Sequence, residues 1–255
     1  MTIPTPSRAT GSRFYRYSSS EHLEWLKVII LKHELYFPNL SQLNDPADGR
    51  PKLALLSSDQ LVSFLHNDFI GRNPGLTYDA QEKKLTTLRS VVQRDGPEAL
   101  MQGLAQSFYA ELEDCRIYSL SKRYDNLSLW AKYAANHSGY CLEFANKGPF
   151  ASACEVTYGE YTLDVTDLEQ RGNPYFFFCK RQEWSNEEEV RILLLRGSNP
   201  IVRIEPSCLT RLILGMHMSD AHRKLIREWA KQRKPELAVV NAYYDELHQV
   251  LRLNA

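Results

Sequence analysis

Hydrophobic residues recur along this chain at two spacings, and each spacing predicts one kind of element. Apolar residues three or four apart within 22–32 predict an amphipathic helix. Alternating apolar and polar residues within 116–121 predict a strand with one buried face. On such patterns we expect strands at 14–17, 34–37, 116–121, 140–144, 154–161, 189–195, 209–214, 238–244 and 250–253, and helices at 22–32, 59–69, 79–93, 97–113, 127–135 and 220–234.

The order of these elements predicts the fold class. Strands and helices do not alternate as regular β–α–β units, so we expect a single α+β domain over 1–255, with a mixed, mostly antiparallel central sheet and a C-terminal helix. The three helices between about 54 and 113 are predicted to form a helical insertion in that domain. Residues 1–12 have no apolar core of the kind that a signal peptide needs, and they are predicted to be a loose tail.

The strongest chemical pattern is a group of charges at the start of the strand 189–195. Alternation along a strand places Glu187, Glu189 and Arg191 on one face, and Val190 and Ile192 on the other. Two carboxylates this close raise the pKa of at least one of them, which suits acid–base chemistry. Arg191 could instead neutralise them, and the group would then be a salt-bridged sheet edge.

A second cluster places Arg16 between Tyr15 and Tyr17 in the first strand. A guanidinium group held among aromatic residues can bind a phosphate or a carboxylate through two parallel hydrogen bonds. Arg16 and Tyr17 are therefore candidate ligand-binding residues. The alternative is a surface arginine flanked by two tyrosines of the core.

A third cluster combines hydroxyl groups with aromatic rings. Ser119 and Ser121 share one face of a predicted strand, and Trp130 and Tyr133 share one face of the helix that follows. Aromatic rings beside hydroxyl groups suit a flat ligand such as nicotinamide or a base. The competing interpretation is that Trp130 belongs to the core.

Two predicted turns complete the list of local features. Asn44 and Asp45 precede a proline, and this order is typical of a turn, so both are weaker candidates for the site. Gly139 follows the helix 127–135, where a left-handed residue is expected.

Composition and motifs exclude several classes of protein. The chain has 31 basic and 31 acidic residues, which argues against a dedicated duplex DNA binder. Its five cysteines form no C-x-x-C pair, so we expect neither a disulfide framework nor a metal site. No apolar run reaches the roughly 18 residues that a membrane span needs, and a cytoplasmic location is expected. Dinucleotide-fold, P-loop, zinc-protease and hydrolase motifs are absent from the sequence.

Four segments, in order along most of the chain, resemble a bacterial family known as domain of unknown function 2971. The resemblance implies a soluble bacterial or phage protein, and it leaves the activity of the family open. The residues that carry it are Tyr15–Tyr17, Leu35–Phe37 and Leu43–Pro46; Tyr118–Ser121, Asn126, Trp130, Tyr133, Ala134, His137–Gly139 and Cys141–Phe144; Lys180, Trp184, Glu187, Glu189 and Arg191; and Leu212–Gly215.

Three motifs also resemble those of the ADP-ribosyltransferases. That class uses an arginine or histidine on a first strand, a Ser-x-Ser on a second and a Glu-x-Glu late in the chain. Arg16, Ser119–Ser121 and Glu187–Glu189 stand here in that order. The resemblance implies an enzyme that consumes NAD, either a transferase or a glycohydrolase, acting as a toxin or a phage-defence effector on a macromolecular acceptor.

The same resemblance implies a role for each residue. Loss of nicotinamide leaves a positively charged ribose, which Glu189 would stabilise while it holds a ribose hydroxyl group. Glu187 would orient or deprotonate the acceptor, and Arg16 would bind the NAD phosphates. Tyr133 or Trp130 would stack on the nicotinamide.

Two other classes of function remain open. A metal-dependent nuclease would use Asp45, Glu187 and Glu189 to bind a divalent ion, with Lys180 assisting. A binding or regulatory module without catalysis would use the same charges as a structural network. The transferase hypothesis predicts that Arg16, Ser119, Tyr133 and Glu189 line one cleft.

Overall fold

The computed structural model describes residues 5–254, apart from the side chain of residue 168. Within this range no helix is both long and apolar enough to cross a membrane.

The strands are β1 (Arg13–Ser18), β2 (Glu34–Tyr36), β3 (Lys52–Leu53), β4 (Arg116–Ser121), β5 (Tyr140–Ala145), β6 (Cys154–Glu155), β7 (Thr157–Tyr158), β8 (Thr162–Leu163), β9 (Cys179–Lys180), β10 (Glu189–Leu194), β11 (Ile201–Arg203), β12 (Leu209–Leu214), β13 (Ala238–Asp245) and β14 (Val250–Asn254). The helices are α1 (Leu23–Lys32), α2 (Ser58–Arg72), α3 (Tyr78–Asp95), α4 (Pro97–Leu112), α5 (Leu127–Tyr133), α6 (Leu168–Gly172) and α7 (Asp220–Gln232).

A central sheet of eight strands organises the protein, in the order β14-β13-β12-β5-β1-β4-β10-β6. The pair β12–β13 is parallel, and the other neighbouring strands in this sheet are antiparallel. The predicted α+β class with a mixed, mostly antiparallel sheet is therefore confirmed.

One face of the sheet is covered by α1 and α7, which pack against each other. Leu26 of α1 and Ile226 of α7 are fully buried there. Val190 and Ile192 of β10 belong to the same apolar core, as the alternation along this strand predicts. The opposite face of β10 is consequently left for its charged residues.

Three smaller cores lie outside this one, and one of them joins Ile117 of β4 to the phenylalanines at 176–178. Helix α5 packs on the other face of the sheet through Leu129 and Trp130, next to Tyr17 and Cys141. Helices α2 to α4 lie within the range predicted for the helical insertion. Leucines at 53, 61 and 163 are buried in a separate core with residues of these helices.

Several local predictions are wrong for identifiable reasons. The predicted strand 154–161 is broken into the short strands β6 and β7, which pair with different partners. Left-handed backbone after α5 occurs at Ala135, Asn136 and His137, and not at Gly139. Gly139 is instead a position of close packing, because a Cβ there would lie 2.9 Å from the backbone of Ala134.

The segment predicted as a loose tail is partly bound to the sheet. The backbone N–H of Glu155 donates to Ser7, and that of Ala9 donates to Ala153, both at 2.9 Å. Ala9 is buried as a result. The prediction was therefore wrong for residues 7–9, because free backbone groups near the sheet edge accept the segment as a partner. Residues 1–4 lie outside the described range.

Candidate ligand-binding cleft and its ion-pair network

The sheet opens between β1 and β4. Strand β1 is paired with β5 at six consecutive positions, but with β4 at the single pair Tyr15–Ser121. Beyond that pair the ladder ends, and the polar groups along the opening are available for other partners. An opening in the middle of a sheet is therefore the structural origin of the site.

A cleft of about 270 Å³ lies at this opening, and we call it the central cleft. Its lining comes from four segments that are far apart in sequence. The residues predicted to share a site, from Arg16 to Glu189, lie together in it. Its lining includes Arg16, Tyr17, Asn44, Asp48, Ser119, Ser121, Tyr133, Lys180, Glu187 and Glu189.

Arg16 bridges the opening. Its Nη1 donates to the backbone oxygen of Ser119 at 2.7 Å, and its guanidinium lies 4.7 Å from the centre of the Tyr118 ring. No carboxylate of the described residues forms an ion pair with Arg16. The central cleft thus has a half-buried cation that can bind an anionic group.

Lys180 joins the two glutamates at the other end of the cleft. Its Nζ donates to Glu187 Oε2 at 2.7 Å and to Glu189 Oε2 at 2.8 Å. All three residues are buried. Burial lowers the pKa of Lys180, but the carboxylates of Glu189 and Asp48 outweigh it and raise that pKa above its usual value. Lys180 therefore remains charged.

Glu187 reaches this position by a route different from the predicted one. It ends a 3₁₀ turn, Gln182–Glu187, and does not belong to β10. Glu188 follows with a left-handed backbone (φ 44°), which turns the chain before the strand begins at Glu189. The predicted place of Glu187 in the strand was therefore wrong, although both carboxylates meet at Lys180.

Arg191 binds the carboxylate of Glu189 through two hydrogen bonds and does not line the central cleft. It is fully buried, and it donates from Nε to Glu189 Oε1 at 2.7 Å and from Nη2 to Oε2 at 3.0 Å. Burial raises the pKa of Glu189, but the charges of Arg191 and Lys180 outweigh it and lower the pKa to about 2. Glu189 is thus ionised at neutral pH and is a poor proton acceptor there.

Tyr133 extends the hydrogen bonds of Glu187 toward solvent. Its hydroxyl donates to Glu187 Oε1 at 2.7 Å and accepts a hydrogen bond from Asn44. Burial and the neighbouring Glu187 raise the pKa of Tyr133, so it stays a donor. Lys132 lies 3.3 Å from Glu187 Oε1 and is partly exposed. The partners of Glu187 near the surface can move more easily than those of Glu189.

The two serines have different roles. Ser121 is buried, and its Oγ donates to the backbone oxygen of Glu187 at 2.8 Å. It therefore positions the 3₁₀ turn, and its hydroxyl is occupied. Ser119 is partly exposed in the central cleft, and its hydroxyl makes no hydrogen bond within residues 5–254. Ser119 is accordingly the serine that can contact a ligand.

Three predicted residues do not line the central cleft. Trp130 is fully buried, and its indole N–H donates to the Tyr124 backbone oxygen, which places Trp130 in the core. Arg191 lies behind Glu189. Asp45 faces a neighbouring opening of about 260 Å³, which we call the side cleft, and pairs there with Arg181.

The carboxylates proposed for a divalent ion are not gathered at one point. Asp45 belongs to the side cleft, whereas Glu187 and Glu189 are bound to Lys180. In the described part of the chain, no group of three or more His, Cys, Asp or Glu residues could hold a metal ion.

The ion pairs of Glu189 predict a specific acid sensitivity. Its pKa is about 2 in the folded protein and ordinarily 4.5. Between these values the unfolded state binds more protons, so stability is lost as the pH falls, by on the order of 3 kcal/mol in total. We expect the stability difference between wild type and Glu189→Gln to shrink as the pH falls through this window. Denaturant unfolding at a series of pH values measures it, and a constant difference would contradict the assignment.

Comparison with known proteins finds no family model that matches the chain, no similar curated protein and no similar solved structure. Membership in the domain of unknown function 2971 family therefore stays a prediction.

Proposed function

We propose that the protein is an NAD-consuming enzyme that transfers ADP-ribose to an acceptor or to water. The observation that carries this proposal is the common location of Arg16, Ser119, Tyr133, Glu187 and Glu189 in the central cleft. Nothing in the spacing of these residues along the chain requires them to meet. A cation for phosphate, hydroxyl groups and carboxylates are the groups that cleavage of NAD needs.

The carboxylates would stabilise the charge that develops during the reaction. When nicotinamide leaves, the ribose becomes oxocarbenium-like, and a preorganised anion lowers the barrier. Glu189 supplies a fixed negative charge. Glu187 is the better candidate for contact with the ribose, because Tyr133 and Lys132 can exchange their hydrogen bonds for a ligand. The resemblance to the ADP-ribosyltransferases assigned the ribose contact to Glu189, and the structure favours Glu187 for it.

The remaining groups would orient the dinucleotide. Arg16 lies across the opening from the glutamates and would bind the phosphates of NAD. The Tyr133 ring would stack against the nicotinamide. Trp130 has no such role, because its side chain is enclosed in the core.

Release of nicotinamide from NAD tests the proposal. We expect wild type to release nicotinamide and Glu187→Gln to do so about 100-fold more slowly, since loss of one preorganised electrostatic contact has an effect of that size. Glu188→Gln is the matched control: it makes the same change one residue away, where the side chain pairs with Arg123 at the surface. It should retain full activity.

The result for wild type decides between this proposal and its alternative. Each glutamate of the cleft is already bound to cations, and such a complete network also suits a module that binds an anionic ligand without turnover. Calorimetry with NAD and ADP-ribose measures this binding. Tight binding without nicotinamide release would favour the module, and neither binding nor release would contradict both.

A further inference from the structure

The three helices of the insertion leave a large groove between them. Helices α2, α3 and α4 pack against one another, yet a space of about 790 Å³ remains, against about 270 Å³ for the central cleft. We call it the helical groove. Pockets of about 300–1,000 Å³ are usual for small ligands. Its floor is apolar and includes Phe64, Leu100 and Leu104.

The apolar side chains of this floor are incompletely covered by the protein. Helix α4 has no buried residue. Leu100, Leu104 and Phe108 pack against the core of the insertion, but each is only half-buried. Removing apolar surface from water is favourable, so a ligand with an apolar chain would be stabilised along the floor.

Gly103 leaves space for such a chain beside the backbone of α4. It lines the groove from the interior of this helix, and a Cβ there would meet no described atom within 4 Å. Glycine inside a helix is less favourable than alanine, and no close packing within residues 5–254 requires it here. Close approach of a ligand to the backbone is one use of a glycine at such a position.

Basic residues outnumber acidic residues along the helical groove. Four basic side chains and two carboxylates line it, although the whole chain has no net charge. The two carboxylates, those of Asp68 and Glu111, are both bound by Arg72, at 2.7 and 3.2 Å. The other basic residues therefore give the groove a local excess of positive charge.

Two of these cations lie beside aromatic rings of the floor. Lys84 Nζ lies 4.9 Å from the centre of the Phe69 ring, and Lys84 forms no ion pair within the described residues. The guanidinium of Arg171 lies 5.6 Å from the centre of the Phe64 ring, and its contact with Asp68 is long, at 4.0 Å. Both cations are thus held near the apolar floor and can bind an anionic head group.

We propose that the helical groove binds a long-chain fatty carboxylate, with its alkyl chain on the apolar floor beside Gly103 and its head group among the basic residues. A purely apolar ligand would leave Lys84 and Arg171 without a partner. A small polar anion would leave the floor uncovered. This site is separate from the central cleft, and the inference goes beyond the proposed function.

Calorimetry with dodecanoate, below the concentration at which it forms micelles, tests the site on the full chain. We expect wild type to bind it, and Lys84→Gln/Arg171→Gln to bind about tenfold more weakly or worse, since charge-assisted contacts are lost. Lys83→Gln/Arg89→Gln is the matched control, because it makes the same change of charge at exposed positions of α3 that do not line the groove. Its affinity should stay within about twofold of wild type.

Gly103→Phe tests the position of the alkyl chain. The ring would enter the space beside α4, so we expect a folded variant, with an unchanged circular dichroism spectrum, that no longer binds dodecanoate. Gly75→Phe is its control, since Gly75 also has open space around it but does not line the groove. This variant should bind as wild type does. If Gly103→Phe fails to fold, the charge variants decide.

Three results would overturn the proposal. One is binding of dodecyltrimethylammonium, which has the same chain and the opposite charge, as tightly as dodecanoate. Another is undiminished binding of dodecanoate by the folded Gly103→Phe variant. The third is binding to phosphatidylglycerol vesicles without binding of free dodecanoate, which would indicate a membrane surface as the partner. Because no readout uses NAD, the outcome is independent of the proposed function.

Discussion

Replacing Arg191 by leucine is expected to lower the free energy of unfolding by about 3–5 kcal/mol. The substitution removes a fully buried guanidinium that forms ion pairs with Glu189 at 2.7 Å and with Asp48 at 2.8 Å, and both carboxylates are buried as well. Both carboxylates would then depend on Lys180 alone. The Phe177 backbone oxygen, which accepts from Arg191 Nη1 at 2.7 Å, would also lose its donor. Leucine fills much of the same volume, so most of the loss would come from uncompensated charge.

Arg196→Leu is the matched control for this experiment. Arg196 lies just after the same strand, but it is 67% exposed and its ion pair with Asp114 is long, at 3.6 Å. Exposed pairs contribute little, so we expect a change within about 0.5 kcal/mol. Denaturant unfolding of both variants gives the comparison. Similar losses for the two variants would show that the buried network is not a special source of stability.

The alternation of side chains explains why much of the site was predictable. In β10 it separates Val190 and Ile192, which enter the core, from Glu189 and Arg191, which face the charged network. The same rule places Ser119 and Ser121 together on β4. Strand geometry is a local property, so these assignments need no knowledge of the tertiary structure.

Other parts of the site depend on contacts between distant segments. Asp48 forms its ion pairs with Arg191 and Lys180, which lie more than 130 residues further along the chain. Glu187 leaves the strand because Glu188 adopts a left-handed backbone, for which the sequence carries no glycine or asparagine as a signal. A pattern confined to one segment could not predict either feature.

Trp130 shows that the spacing of residues along a helix also predicts only part of the site. Trp130 and Tyr133 share one face of α5, yet only Tyr133 reaches the central cleft. Trp130 packs edge-on against Tyr17 at 5.3 Å and is enclosed by the sheet. Spacing along a helix predicts which side chains point together, but the depth of each side chain is set by the sheet beneath.

Gly215→Ala is expected to destabilise the protein by about 3 kcal/mol or more, and to disturb the cleft as well. An added Cβ would collide with the backbone oxygen of His137 and lie 2.8 Å from that of Gly139. Gly215 itself donates to the Gly139 oxygen at 2.9 Å, so this contact joins two backbone segments that cannot both move aside. The displaced turn follows α5 directly, and α5 ends at Tyr133.

Gly103→Ala provides a control in which the free energy of unfolding is expected to rise instead of fall. Gly103 lies within α4, and an added Cβ there meets no atom within 4 Å. Alanine in a helix is favoured over glycine, so we expect this variant to gain about 0.5–1 kcal/mol. Thermal and denaturant unfolding measure both changes, and the NMR resonances of the Tyr133 ring report any movement of that residue. If Gly215→Ala were as stable as wild type, the close approach between β12 and the turn after α5 would be wrong, and with it the placement of Tyr133 beside Glu187.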